Sequence, residues 1–355
     1  MVSRTDDVAL GSLRHAHSSD TRQLLALGGG GFRGYFTAAV LERLERTADR
    51  PLREVFDVVA GTSVGGLIAA AIALGVPATE IRSALEQHGP RIFEAGRRRL
   101  TPRALVRLFR SGYRSEPLAN AIDAMLGEDA ARPLSRIDTP LVLSAVDAGS
   151  GHAVLLRSRG LAGVTESSPL ALADALLATA AAPSYFPPHH TALGTLVDGG
   201  LVANAPDLVV LTETMRCLGT PLERLRVLSV GTASPVREPR RHRSGSRPGI
   251  ASWLLARGLF QLTLSAQESL AIAQCAILLG ERHLRLDRVP MGTDADRIGL
   301  DRAGPEAIER LARLAEERLD ALGPDEQERL VRWLAHRALG GRERLIPRLT
   351  DRDSR

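Results

Sequence analysis

Ser63 lies in Gly61-Thr62-Ser63-Val64-Gly65, a spacing that suits a nucleophile carried on a tight turn. Apolar and β-branched residues from Val55 to Ala60 run into that turn, and small apolar residues from Leu67 to Leu74 follow it, so the local order is strand, turn, helix. Such a turn lifts a hydroxyl out of a sheet at a helix N-terminus, where backbone N–H groups and the helix dipole favour negative charge. Gly61 and Gly65 flank the serine because side chains there would collide where strand and helix cross. A glycine-rich βα corner with no catalytic task would carry the same pentapeptide, so the meaning of Ser63 depends on the rest of the chain.

A second glycine stretch, Gly28-Gly29-Gly30-Gly31-Phe32-Arg33-Gly34, follows an apolar run ending at Leu27. Consecutive glycines are costly to order, and what they offer is bare N–H groups that can crowd an anion. The Gly-Lys-Ser/Thr ending of a phosphate loop is missing. Gly29-x-Gly31-x-x-Gly34 has dinucleotide spacing, but Arg33 sits inside it and the acidic residues near the required distance, Glu54 and Asp57, do not convincingly close the next strand. Two such loops leaving neighbouring parallel strands at one sheet edge read better as a nucleophile and its oxyanion hole, with Gly29, Gly30 and Gly31 as donors and Arg33 beside them. Asp198, at the end of the strand Thr195-Leu196-Val197 and before Gly199-Gly200, would face the same crevice, although Asp-Gly also serves as a plain turn.

A serine hydroxyl needs a positioned base. The α/β-hydrolase order of Ser, Asp, His would require a histidine after Asp198, and His242, His283 and His336 fall in a basic loop, a charged strand and a terminal helix. His189 and His190 precede Asp198. Asp198 is therefore the better base, making a Ser63–Asp198 dyad if its surroundings are dry enough to raise its proton affinity.

The elements that must hold these residues come from 355 residues, 44% of them hydrophobic, with a net charge of +5 carried largely by arginine. There is no run of eighteen apolar residues and no basic-then-apolar leader, which predicts a soluble intracellular protein. Cys217 and Cys275 lack metal-ligand spacing and read as free thiols, so no metal site is expected. With 3% aromatic residues and no stacking platform, a nucleic-acid polymer is not an expected partner; the arginines suit a phospholipid surface or a nucleotide, or they reflect codon usage. Residues 1–20 read as a loose tail, 21–232 as an α/β core with a mostly parallel sheet flanked by helices, and 233–249 as a basic loop. Residues 250–355 read as a helical extension packed on the same domain. Within 91–114, Arg97, Arg98, Arg99 and Arg103 alternate with leucines, the pattern of a helix facing an anionic ligand or lipid, or of a solvated basic face. The apolar stretch 250–280 fits core, a partner interface or a lid touching membrane.

Together, Gly29-Gly30-Gly31-Phe32-Arg33-Gly34, Gly61-Thr62-Ser63-Val64-Gly65-Gly66 and Asp198-Gly199-Gly200 resemble the three signature blocks of patatin-like phospholipases. The resemblance implies a patatin-like three-layer fold, acyl-ester hydrolysis with Ser63 as nucleophile and Asp198 as base, an oxyanion hole at the glycine-arginine block, and no cofactor for catalysis. The runs Phe32 to Thr37, Ala180 to Pro188, Asp198 to Pro206 and Ser265 to Gln267 look like those of bacterial antiphage effectors of the CBASS type. That likeness implies activation by a cyclic dinucleotide such as cGAMP, assembly into a homo-oligomer on activation, and action on the inner membrane from the cytoplasm. A patatin-like lipase without nucleotide control, and a Ser-Asp-His α/β-hydrolase, are the other readings.

Overall fold

The computed structural model describes residues 21–94, 112–235 and 259–338. The expected tail at 1–20, the arginines at 97, 98, 99 and 103, and nearly all of the basic loop lie outside the described residues. The described residues build one mixed sheet from β1 (Arg22–Leu27), β2 (Val58–Gly61), β3 (Leu141–Asp147), β4 (Ala153–Arg157), β5 (His189–Thr191), β6 (Gly194–Asp198), β7 (Leu225–Val230) and β8 (His283–Leu286). The order is β5-β6-β3-β2-β1-β7-β8, with β4 also paired to β3. Strands β3, β2, β1, β7 and β8 run parallel, and β4, β6 and β5 add antiparallel pairings at one end.

The helices are α1 (Gly34–Ala48), α2 (Val64–Leu74), α3 (Ala78–Glu94), α4 (Glu116–Leu126), α5 (Arg159–Glu166), α6 (Leu172–Thr179), α7 (Gly200–Ala203), α8 (Asp207–Leu218), α9 (Leu259–Leu279), α10 (Thr293–Arg297), α11 (Pro305–Asp320) and α12 (Pro324–Leu334). They cover both faces of the sheet. Leu25, Leu27 and Val59 pack into the larger core with α1 and α2, whereas Leu24, Ala26, Val58 and Ala60 pack into a second core with Val210, Leu211, Cys275 and Leu279 of α8 and α9. Successive strand residues are therefore buried on opposite sides, which explains why Leu24 to Leu27 of β1 read as a continuous apolar run rather than an alternating one.

The expected three-layer α/β architecture is present. In the C-terminal region the charged strand expected at His283 is β8, which joins the sheet beside β7. Helix α3 runs on to Glu94 through Pro90. Helix α9 is long and apolar enough to cross a membrane by length and composition, a property the count of uninterrupted apolar residues misses. Gln267 and Glu268 nevertheless bond it to the main body: Gln267 Nε2 donates to the Gly200 carbonyl at 2.8 Å, and Glu268 accepts from Arg285 and Asn204.

Candidate functional site

Strand β3 brings the two ends of the site together. Leu143 pairs with Gly61 on one edge and Leu156 on the other; Ala145 pairs with Val154 and with Asp198. A strand has only two edges, so β4 takes one, and β2 and β6 occupy successive stretches of the other. β2 is parallel to β3 and β6 antiparallel, so their carboxyl ends point at each other and the Ser63 turn meets Asp198.

Ser63 is held at φ 55° and ψ −129°, a left-handed geometry that a non-glycine residue keeps only when its surroundings impose it. The restraints are specific. The Ser63 N–H donates to Thr179 Oγ1 at 3.0 Å, and Thr179 Oγ1 donates to the Ser144 carbonyl at 2.6 Å. Thr62 Oγ1 donates to the Ala203 carbonyl at 2.6 Å, and a Cβ on Gly61 or Gly65 would strike backbone, the Gly65 carbonyl in one case and the Leu27 carbonyl in the other. Helix α2 begins at the next residue, so the hydroxyl stands at its N-terminus.

The glycine loop between β1 and α1 supplies N–H groups, though not all those expected. The Gly29 N–H donates to the Asn204 carbonyl at 2.9 Å, so the expectation that Gly29 is an oxyanion donor is corrected: its bond is already made. The N–H groups of Gly30 and Gly31 have no partner among the described residues, and both glycines line the cleft beside Ser63. Their direction follows from peptide planarity, since anchoring a carbonyl fixes the N–H on the opposite side of the same plane. The Gly29 carbonyl accepts from Thr232 Oγ1 at 3.2 Å and from Asn204 Nδ2 at 3.4 Å; the Gly30 carbonyl accepts from Arg33 Nε and from the Arg33 N–H, both at 3.2 Å. Arg33 is buried and grips the loop from behind, so its bonds to Gly30 orient the Gly31 N–H. Gly31 has φ 57°, and a Cβ there would strike the Leu300 carbonyl.

Asp198 is 3% exposed. Burial pushes its carboxyl up to about 7, against the opposing pull of the Gly200 N–H, which donates to Oδ1 at 2.7 Å, and of the Ser63 hydroxyl. An aspartate so placed can hold a proton near neutral pH, which a general base for serine requires.

Ser63 and Asp198 open into an apolar cleft of about 750 Å³, measured with its open mouth and walled by residues including Leu67, Leu85, Leu118, Phe186, Phe260 and Leu264. The Ala-Pro-Ser-Tyr-Phe run borders it through Ala182, Tyr185 and Phe186. The described histidines near carboxylates are elsewhere: His189 contacts Asp174, His283 contacts Asp207 and His336 contacts Asp57. None lines the cleft, so among the described residues no histidine completes a triad. No group of three or more His, Cys, Asp or Glu side chains fit for a metal occurs among the described residues.

Sequence reasoning missed Thr179, Thr232, Asn204 and Glu268, whose hydrogen bonds shape the site. Asn204 carried a signal, lying six residues after Asp198 at the start of α8's approach, but its partners come from distant parts of the chain.

A family profile described as patatin-like phospholipase matches residues 25–210. The chain is 34% identical over 268 residues to a cGAMP-activated phospholipase of Pseudomonas aeruginosa, covering 75% of this chain and 78% of that one. It is 30% identical to a cGAMP-activated phospholipase of Vibrio cholerae, covering 84% of this chain and 90% of that one. It is also 30% identical to a cUMP-AMP-activated phospholipase of Escherichia coli, covering 68% and 73%.

Proposed function

Because the chain belongs to the patatin-like phospholipase family and is a lipid acyl hydrolase by that membership, we propose that it cleaves membrane phospholipid esters through a Ser63–Asp198 dyad under the control of a cyclic dinucleotide. The observation that carries the dyad is the head-on approach of β2 and β6 along one edge of β3, beside the unpartnered N–H groups of Gly30 and Gly31.

Asp198 takes the Ser63 proton as Oγ attacks the ester carbonyl. Gly30 and Gly31 donate to the carbonyl oxygen as it gains negative charge, and the helix dipole of α2 adds to them. Asp198 returns the proton to the leaving alcohol. A water, deprotonated by the same carboxylate, then releases the acyl group from Ser63. The cleft fits this substrate class because an acyl chain gains burial against its leucines and phenylalanines, roughly 0.8 kcal/mol per CH₂.

Nucleotide control is supported by the relatives' names at 30–34% identity and by the arginines at 97, 98, 99 and 103, which suit a dianionic ligand. In this reading the enzyme works from the cytoplasm on the inner membrane, assembles into a homo-oligomer when activated, and serves antiphage defence by degrading that membrane. Fatty-acid release from phosphatidylethanolamine/phosphatidylglycerol vesicles, with and without cGAMP or cUMP-AMP, is the test. Ser63-dependent release that rises with nucleotide is the expected result; equal release without nucleotide overturns the control, and release by the Ser63→Ala protein overturns the dyad.

A further inference from the structure

Helix α9 carries one charged side chain along its 21 residues, Glu268, and that side chain turns inward. One carboxylate oxygen accepts from Arg285 at 2.8 Å and the other from Asn204 Nδ2 at 2.7 Å. Arg285 is itself held by Asp287 at 2.7 Å and by Ser229 Oγ at 2.7 Å, so the carboxylate sits in a fixed, buried charge network.

The chemistry of this pair has a direction. A carboxylate only accepts, so the Asn204 amide must present its nitrogen to Glu268 and cannot flip. With that face set, the same nitrogen reaches the Gly29 carbonyl at 3.4 Å, whose anchoring aims the Gly30 N–H into the cleft. The backbone carbonyl of Asn204 meanwhile holds the Gly29 N–H. The neighbouring residue on α9, Gln267, donates to the Gly200 carbonyl, one residue's peptide away from the N–H that Asp198 accepts.

We infer that Glu268 is a positioning residue for the oxyanion loop, acting through the Asn204 amide, and that α9 thereby ties the oxyanion donors and the base to one helix. The inference rests on the reading of Ser63, Asp198, Gly30 and Gly31 as the acyl-transfer site.

The test uses the full chain with p-nitrophenyl butyrate as a monomeric ester, with and without cGAMP or cUMP-AMP, reading kcat, KM and melting temperature for wild type, Ser63→Ala, Glu268→Gln, Asn204→Asp and the Asn204→Asp/Glu268→Gln pair. Glu268→Gln lets the facing amides choose among orientations, so kcat falls about 10-fold with KM within about twofold, less than the 10²–10³ of losing an oxyanion donor outright. Asn204→Asp sets two carboxylates against each other and removes the donor to Gly29, lowering both kcat and melting temperature. The double variant regains a donor–acceptor pair and the buried charge count, so its melting temperature returns toward wild type, while kcat stays low because residue 204 still has no donor for the Gly29 carbonyl.

Recovery of kcat together with stability in the double variant would reduce the pair to packing and overturn the inference, as would an unchanged kcat in Glu268→Gln. A wild-type protein without Ser63-dependent turnover either with or without nucleotide overturns the acyl-transfer reading, and this inference with it, before any variant is compared.

Discussion

Gly61 and Asp198 end two strands that run toward each other along one edge of β3, Gly61 opposite Leu143 and Asp198 opposite Ala145. Ala145 is the position that Ser63 would face if β2 continued in register. Ser63 and Asp198 are thus spaced by strand pairing, and burial of the meeting point raises the proton affinity of Asp198.

Rate should follow the ionisation of Asp198. With its carboxyl pushed up to about 7, kcat/KM should climb through neutral pH and level off above it, because only the ionised form accepts the serine proton. A profile already flat from pH 5 to 8 would rule out Asp198 as the base.

The same shift fixes a stability trend. Asp198 holds its proton more tightly folded than unfolded, so its contribution to stability is complete below pH 4 and is lost as pH rises to about 7. Asp198→Asn removes the cost of burying the charge. The variant should melt higher than wild type at pH 8, with the gap closing toward pH 4, while ester cleavage drops by about 10²–10⁴-fold. Thermal melts across that range provide the comparison.

Strain at Ser63 can be measured without activity. Ser63→Ala and Ser63→Gly both lack the hydroxyl and both should be inert, but only glycine tolerates φ 55° with ψ −129° at no steric cost. Ser63→Gly should be the more stable of the two by about 1 kcal/mol, the low end for a residue held in a sparsely populated region. Equal melting temperatures would mean that the turn stores no strain.

Removing the grip on the oxyanion loop should slow chemistry without weakening binding. Arg33→Ala leaves the Gly30 carbonyl with only the bond from the backbone N–H of residue 33 and so loosens the Gly31 N–H, and Gly31→Ala drives a Cβ into the Leu300 carbonyl. Each should cost about 2.7–4 kcal/mol in barrier, the scale of one lost donor, with KM little changed. By contrast, a rise in KM alone would assign Arg33 to substrate binding.

The cleft should discriminate by acyl length. Leu118→Trp fills part of the apolar wall, so kcat/KM for dodecanoyl esters should fall by at least about tenfold, while butyryl esters, which bury few CH₂ groups, should change little. Equal losses on both esters would place Leu118 outside the acyl path.

Ser63 and Asp198 were legible in the sequence because each closes an apolar strand and is followed by glycines that only a close backbone crossing requires. The roles inside the glycine loop were not legible. Which of its N–H groups stay unpaired is decided by Asn204 and Thr232, far along the chain, and no local pattern announces that Gly29 is already bonded. Thr179 and Glu268 were hidden for the same reason, since their work lies in one long-range hydrogen bond or two rather than in periodicity. In the fold, β1, β2, β3 and β7 follow from buried apolar runs, whereas α5 and α8 were not foreseen: α5 is short and interrupted at Gly163, and α8 follows an apolar start, Leu208 to Leu211, with mostly polar residues from Thr212 to Arg216.

The Phe32 N–H bonds to the Leu300 carbonyl at 2.8 Å, Gln23 Nε2 reaches the Trp333 carbonyl at 3.1 Å, and His336 contacts Asp57 at 2.9 Å. These contacts work as a clasp: residues 300–336 close over residues 23–57. A protein trimmed after the dyad, or even after β7, would keep every signature residue and lose the parts that brace the oxyanion loop and cap the start of β1. Shortening this chain from its C-terminal side should therefore extinguish turnover before it removes any reacting group.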